Sequence, residues 1–505
     1  MNSQSGVLWS NNYTVEMPYA HSDRPAITYE ADGAILKVTG RKSTEKGERL
    51  SIVKYGLDGN LVSETIIGDA LVSNNNIIDY KIDNEQNIYI LSQENISINL
   101  RRTVIQKYTP DGTFKWAEQL QDPLYTYTPI SITLNNSGSG IFIVTQKEIW
   151  DFDFSYNISL KLYIYTENGA MLSEKTFDPD TELNWVSSKV LSTDNGIILF
   201  GKDLITNQNF KILNINQDNT LLSNNIISIP TQFTNMQLTS DNNILLLSNN
   251  RVSKVTPDGV LIWSGPVISN TYYQISSAIQ DDNGNIYVTG RQFENQSPTN
   301  NDILTTKYSS TGEIVWQNIY MYGQQNADVG ETITFKNGHV YVGGQSQRLG
   351  IETDYDYVLL KINAETSLQE GVYRYNSNEN GDEQISSLYV FDNGDVALTG
   401  LSYTGIDYNQ TTQLLSDAAL GLTEISSNKN ITIYPNPISK GGLINIKSEG
   451  LTHYKILSSL SQIALEGNFD GTAPYTITTN GLSTGLYFLI LESEKGSYTK
   501  KLIIQ

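Results

Sequence analysis

Chemistry needs side chains that can be brought together, and this sequence narrows the choice early. It has no cysteine and three histidines, His21, His339 and His453, none near another in the chain. Disulfides and thiolate metal sites are excluded, and neither a histidine-rich metal centre nor a Ser–His–Asp triad is expected. Asp and Glu number 54, so the chemistry within reach is that of paired carboxylates, in a glycan hydrolase or lyase. No local signature singles out a pair. Two oxygen-rich stretches, DDNGN at Asp281–Asn285 and NENGDE at Asn378–Glu383, invite a calcium reading. The ligand spacing of a calcium loop is missing, and turn formation accounts for both. No catalytic residue, metal or cofactor is therefore expected.

The net charge of −21 is uneven: residues 430–505 hold six Lys against five Asp/Glu, which leaves the remainder at −22. Such a surface repels phosphate backbones, so nucleic acid is not an expected partner. Hydrophobic residues are 39% and charged residues 17%, with 31 Tyr. That composition favours strands and turns over helices. No apolar run approaches the ~20 residues of a membrane-spanning helix; LYFLIL, Leu486 to Leu491, is far shorter. The first ten residues, MNSQSGVLWS, show neither a basic stretch nor an apolar h-region. They fit a cytoplasmic protein or the mature end of an exported one.

The elements that must position any site are repetitive. VIQKYTPDGTFKW (Val104–Trp116), RVSKVTPDGVLIW (Arg251–Trp263) and LTTKYSSTGEIVW (Leu304–Trp316) are copies of one unit, with four weaker copies elsewhere. Aligned on the turn, the glycine positions are Gly59, Gly112, Gly169, Asn219, Gly259, Gly312 and Thr366, at steps of 40 to 57 residues. Alternating apolar residues form a strand, Asp-Gly supplies positive φ, and a second strand returns. The Trp residues fall at matched places in the returning strand. Packing between sheets suits them better than stacking on sugars. A second motif, DDNGNIYVTG at Asp281–Gly290 and FDNGDVALTG at Phe391–Gly400 among eight copies, follows a short apolar strand.

One unit is thus four strands, and the expected architecture is an all-β, eight-bladed β-propeller over residues 1–422, with seven blades as the alternative. SGVLWS (Ser5–Ser10) matches DGVLIWS (Asp258–Ser264). The N-terminal strand is therefore expected to complete the last blade, beside a strand from Asn409–Ala418. This part resembles bacterial repeat propellers, which host enzymes, lectins and scaffolds alike.

Residues 423–429 read as a linker, and 430–505 as a small antiparallel β-sandwich of six or seven short strands. It opens on ITIYPNP, where Pro435 and Pro437 each remove an amide donor and end the first strand. Three pieces in order, YPNP (Tyr434–Pro437), LSTGLYFLIL (Leu482–Leu491) and the terminal KKLIIQ (Lys500–Gln505), resemble the type A C-terminal sorting domain of the Bacteroidota type IX secretion system. By position Tyr434, Pro435, Asn436, Pro437, Gly485, Tyr487, Lys500, Lys501 and Leu502 match its signature. On the residues alone, Gly485 suits a tight turn, Tyr487 and Phe488 supply buried area, and the two lysines put positive charge on an edge strand.

The resemblance implies an exported chain, extracellular or on the cell surface. Its partners would be the translocon and an outer-membrane shuttle barrel. It also implies a sortase-like protease that, in many members, removes the domain and joins the cargo to an anionic lipopolysaccharide. The missing N-terminal export signal departs from the family pattern. The propeller is then expected to be a non-catalytic module for adhesion or binding of a glycan or surface ligand, with a glycan-active enzyme as the alternative.

Overall fold

The computed structural model describes residues 7–14, 26–30, 35–44, 47–67, 75–97, 100–120, 126–134, 140–150, 156–177, 185–193, 196–203, 209–218, 220–228, 233–266, 268, 273–293, 301–322, 327–347, 355–376, 382–403, 408–420, 432–447, 450–458, 463–469, 474–493 and 496–505. The chain forms two compact units, Met1–Leu422 and Thr423–Gln505. The expected linker, 423–429, lies outside the described residues.

In the first unit, strands come in consecutive antiparallel fours. Quartet 1 lies within Ala26–Ile67, quartet 2 within Asn75–Leu120, quartet 3 within Thr126–Phe177 and quartet 4 within Trp185–Ser228. Quartet 5 lies within Phe233–Ser264, quartet 6 within Tyr273–Tyr320 and quartet 7 within Asp328–Tyr375. A parallel bridge between Gly47 and Asn75 joins quartets 1 and 2. Quartet 8 takes three strands from Glu383–Val390, Val396–Tyr403 and Tyr408–Leu415. Its fourth is Val7–Thr14, antiparallel to the third, with Val7 opposite Leu415 and Thr14 opposite Asn409. Side chains reinforce this pairing: Thr411 donates to Asn12 at 2.8 Å and Gln413 to Ser10 at 3.1 Å. The expected pairing of the N-terminal strand is observed, and about eight four-stranded sheets in an all-β unit are consistent with a propeller.

The core lies between sheets rather than inside any one of them. The second strands are buried on both faces, Ile244–Ser248 along its whole length, as a continuous apolar run requires. Each apolar cluster of this unit joins one quartet to the next. Phe142 and Leu162 meet Ile197 and Leu213, for example, and Leu245 and Val252 meet Tyr273 and Tyr308. Another joins the ends of the unit, packing Leu36, Val38, Val53 and Tyr55 of quartet 1 against Ala397 and Leu414 of quartet 8.

A polar clasp repeats at four of these junctions. The indole N–H of a fourth-strand Trp donates to a carbonyl in the hairpin turn of the following quartet. Trp116 donates to Glu167 at 2.9 Å, Trp263 to Ser310 at 3.1 Å, and Trp316 to Ala364 at 3.0 Å. The N-terminal strand makes the same contact, Trp9 to Leu57 of quartet 1 at 2.9 Å. Lys107 and Lys307 add their ammonium groups to two of these carbonyls, at 3.0 and 2.9 Å. The turn glycine serves the clasp twice over. Gly59, Gly169 and Gly312 have φ of +82°, +85° and +90°, and a Cβ on them would fall 2.6, 2.8 and 2.7 Å from the rings of Trp9, Trp116 and Trp263. The Trp rings are packing elements of the sheet junctions.

At one junction the alignment misleads. Thr366 occupies the glycine column, but the left-handed residue is Ser367, at φ +61°. Its N–H reaches the Asn363 carbonyl at 3.0 Å, four residues back, where Gly59 reaches Gly56 three back. The turn is one residue longer. Asn219 lies outside the described residues.

Among the described residues the second unit has seven strands in two sheets. Thr432–Tyr434, Leu443–Lys447 and Tyr475–Thr478 form one. The other runs in the order Ile463–Asn468, Leu451–Ser458, Gly485–Ser493 and Gly496–Ile504. One core serves both: Ile444, Ile446 and Ile477 from the first, Ile456, Leu489, Leu491, Leu502 and Ile504 from the second.

Gly312→Ala is expected to destabilise the first unit by more than about 1 kcal/mol, since Ala tolerates neither the positive φ nor the ring at van der Waals range. Denaturant unfolding of Gly312→Ala, Trp263→Ala and the double variant checks it. Removing the ring relieves the clash, so the two losses should sum to more than the double variant's loss.

Candidate functional site

In the second unit the chain leaves one sheet, touches the other and returns. Tyr434 ends the first strand opposite Asn445, whose Nδ2 donates to the Tyr434 carbonyl at 3.3 Å. The peptide bonds before Pro435 and Pro437 are cis, and neither proline has an N–H for a ladder. Between them Asn436 reaches the other sheet: its Oδ1 accepts the Ile503 N–H at 2.9 Å. The backbone follows. Ile438 donates to the Ile503 carbonyl and accepts from Gln505, and Lys440 donates to the Gln505 carbonyl, each at 2.8 Å. This amounts to a parallel bridge from Ile438 to Ile504, with the Ile438 side chain in the core. A turn at Ser439–Gly442 then leads to Leu443 and back into the first sheet.

The nine residues singled out in the sequence separate into two places. Tyr434, Pro435, Asn436 and Pro437 form an exposed corner, with Tyr434 49% accessible. Gly485, Tyr487, Lys500, Lys501 and Leu502 lie on the last two strands. Tyr487 pairs with Leu502, and both side chains are in the core. Lys500 and Lys501 pair with Leu489 and Phe488, on a strand at the end of its sheet. Gly485 opens its strand opposite Ile504. The tight turn assigned to it belongs instead to Gly481, at φ +87°, because the chain turns before the strand begins. The Asn436–Ile503 bond joins the two places, and Ile438, which the sequence reading passed over, fastens them. Its only signal was an apolar residue alone between Pro437 and Ser439.

In the first unit the oxygen-rich turn at Asp281–Asn285 is satisfied by its own chain. One Asp281 oxygen accepts from the Asn283 and Asn285 amides, the other from the Asn285 side chain and the Tyr287 hydroxyl, at 2.8 to 3.0 Å. Of the second stretch, Asn378–Gly381 lie outside the described residues. His339 pairs through Nε2 with Glu370 at 2.8 Å, and His453, in the other unit, with Glu466 at 3.0 Å and Asn468 at 2.7 Å. His21 lies outside the described residues.

Sequence reading missed a buried ionic cluster between quartets 6 and 7. The Arg374 guanidinium meets Asp356 at 2.8 Å, Tyr320 at 3.2 Å and Ser346, and lies 3.6 Å from the Tyr322 ring centre. Asp328 accepts from Ser346 and from the Tyr322 amide. Burial raises the Asp328 carboxyl to about 6, against the opposing pull of those hydrogen bonds and of Arg374. The six residues are scattered from 320 to 374 with no spacing rule, so no motif announces them.

The corner and the last strands belong to one compact β-module carrying a C-terminal signature. Residues 432–505 match the family model described as secretion system C-terminal sorting domain. This part of the chain is a type IX sorting domain, which makes the protein cargo of that secretion machinery, bound for the cell surface or the medium. No curated protein matches the sequence. Solved structures similar to this chain include a Staphylococcus aureus virginiamycin B lyase, catalytically inactive and bound to quinupristin. It is 12% identical, with 68% of this chain and 96% of that one covered, at TM-score 0.38. The WD40 domain of fission yeast SCAP is 10% identical, with 81% and 99% covered, at TM-score 0.40. A PL25 ulvan lyase is 11% identical, with 82% and 96% covered, at TM-score 0.43.

The Asp328 carboxyl gives a pH test. Its folded value of about 6 lies above the ordinary 3.8, so ionisation disfavours the fold. The penalty is absent below about pH 4 and complete above about pH 6, reaching up to roughly 3 kcal/mol. Asp328→Asn cannot ionise. Its melting temperature relative to the parent should rise as the pH goes from 4 to 7, by differential scanning calorimetry. A difference independent of pH would contradict the assignment.

Proposed function

We propose that the protein is an exported surface or secreted β-propeller of a Bacteroidota cell, with eight blades, followed by a β-sandwich sorting domain. In this reading the propeller is a binding module for a glycan or another surface ligand, and the sorting domain engages the translocon and its outer-membrane shuttle barrel. The observation that carries it is the match of residues 432–505 to the sorting-domain family. The eight quartets, and the cluster that packs Leu36 and Val38 against Ala397 and Leu414, support a closed eight-bladed ring. The single core shared by the two C-terminal sheets supports the sandwich.

A binding role is favoured over catalysis by the state of the buried carboxylates. Asp328 and Asp356 are held by Ser346, the Tyr322 amide and Arg374, which is how structural ion clusters are arranged. Retaining glycosidases need two carboxyls about 5 Å apart facing a substrate.

Expression of the full chain and of a form ending at residue 429 in a type IX-competent host tests the proposal. The full chain should reach the surface or medium and the shortened form should stay inside. Export of the shortened form overturns the sorting role. Release of reducing ends from polysaccharides by the purified protein would replace the binding role with an enzymatic one.

A further inference from the structure

The structure links the two halves of the sorting signature by hydrogen bonds. We propose that Asn436 is a positioning residue of the export signal. It holds the outer edge of the final strand, and the secretion machinery reads that strand as so held rather than the Asn436 side chain itself. This rests on the sorting reading above.

The final strand, Gly496–Ile504, ends its sheet order. Such an edge presents unpaired amides and carbonyls, a template for pairing with any passing strand. Here the last residues are covered by the segment that contains the signature's prolines. The Ile503 N–H goes to Asn436 Oδ1, the Ile503 carbonyl to the Ile438 amide, the Gln505 N–H to the Ile438 carbonyl, and the Gln505 carbonyl to the Lys440 amide. Three of these bonds are backbone to backbone and survive any substitution that keeps the fold. The Asn436 bond is the one that depends on a side chain, and it sits nearest to Lys501 and Leu502.

Asparagine suits the position because it offers a short amide oxygen without charge. A proline on each side removes the neighbouring N–H groups that would otherwise compete for that oxygen. The two signature pieces, 67 residues apart, then act as one object. Loss of the acceptor uncovers the Ile503 amide and loosens the strand beside Lys501 and Leu502, although neither lysine is touched and the three backbone bonds remain.

The test uses the full chain in a type IX-competent host, with secretion and amide hydrogen exchange at Ile503 as paired readouts. Asn436→Ala removes the acceptor. It should speed Ile503 exchange at least tenfold and lower secretion by a similar factor. Asn436→Asp keeps an acceptor oxygen in the same place and should restore both. Secretion lost with Ile503 exchange unchanged would mean that the machinery contacts Asn436 directly, and would overturn the proposal. So would faster exchange with secretion intact, or failure of Asn436→Asp to secrete while Ile503 stays protected. Should Asn436→Ala fail to fold, the Asp variant decides alone by the same two readouts. Retention of the form ending at residue 429, beside normal export of the parent, keeps the sorting reading standing whichever way the Asn436 variants fall.

Discussion

The first unit depends on a contact that no single sheet can make for itself. A four-stranded sheet with two apolar faces has no core until a neighbour arrives. At four junctions a Trp clasp fixes where that neighbour sits. An indole N–H given to a turn carbonyl is directional, and the glycine beneath the ring admits only close approach. Apolar burial between quartets supplies most of the cohesion but tolerates sliding. The hydrogen bond supplies register. The same contact made by Trp9 to Leu57 treats the ends of the unit as one more junction.

That contact explains what could be read without coordinates. Gly59, Gly112, Gly169, Gly259 and Gly312 recur because the turn needs positive φ, and a Trp ring packs on three of them, Gly59, Gly169 and Gly312. Both are local demands, so they leave a period in the sequence. The pairing of Val7–Ser10 with the last sheet was legible for the same reason: the strand kept the motif of the place it fills. Thr366 was misread because alignment on one column cannot see a turn lengthened by a residue, with Ser367 taking the left-handed position. Gly485 was misread because a glycine beside a turn looks the same as a glycine in it.

The less legible features are those made by distance. Asp328, Ser346, Asp356 and Arg374 come from different strands of one quartet and close over the Tyr320 and Tyr322 side of another. Their types are ordinary and their spacing follows from loop lengths. Asn436 was visible as part of a signature, but its partner, a backbone amide near the other end of the unit, was not. Sequence motifs announce which residues matter and stay silent on whether they touch a partner or hold their own chain.

The bond between Asn12 and Thr411 spans 399 residues. A strand recruited from so far away joins late, after nearly the whole unit has been made, because the entropy of closing that loop is met only once the acceptor strand exists. Until then the third strand of quartet 8 has an open flank, and the first strand of a second molecule fits it as well as its own. Crowded chains of this design are thus candidates for domain-swapped pairs, and dilution during folding favours the monomer.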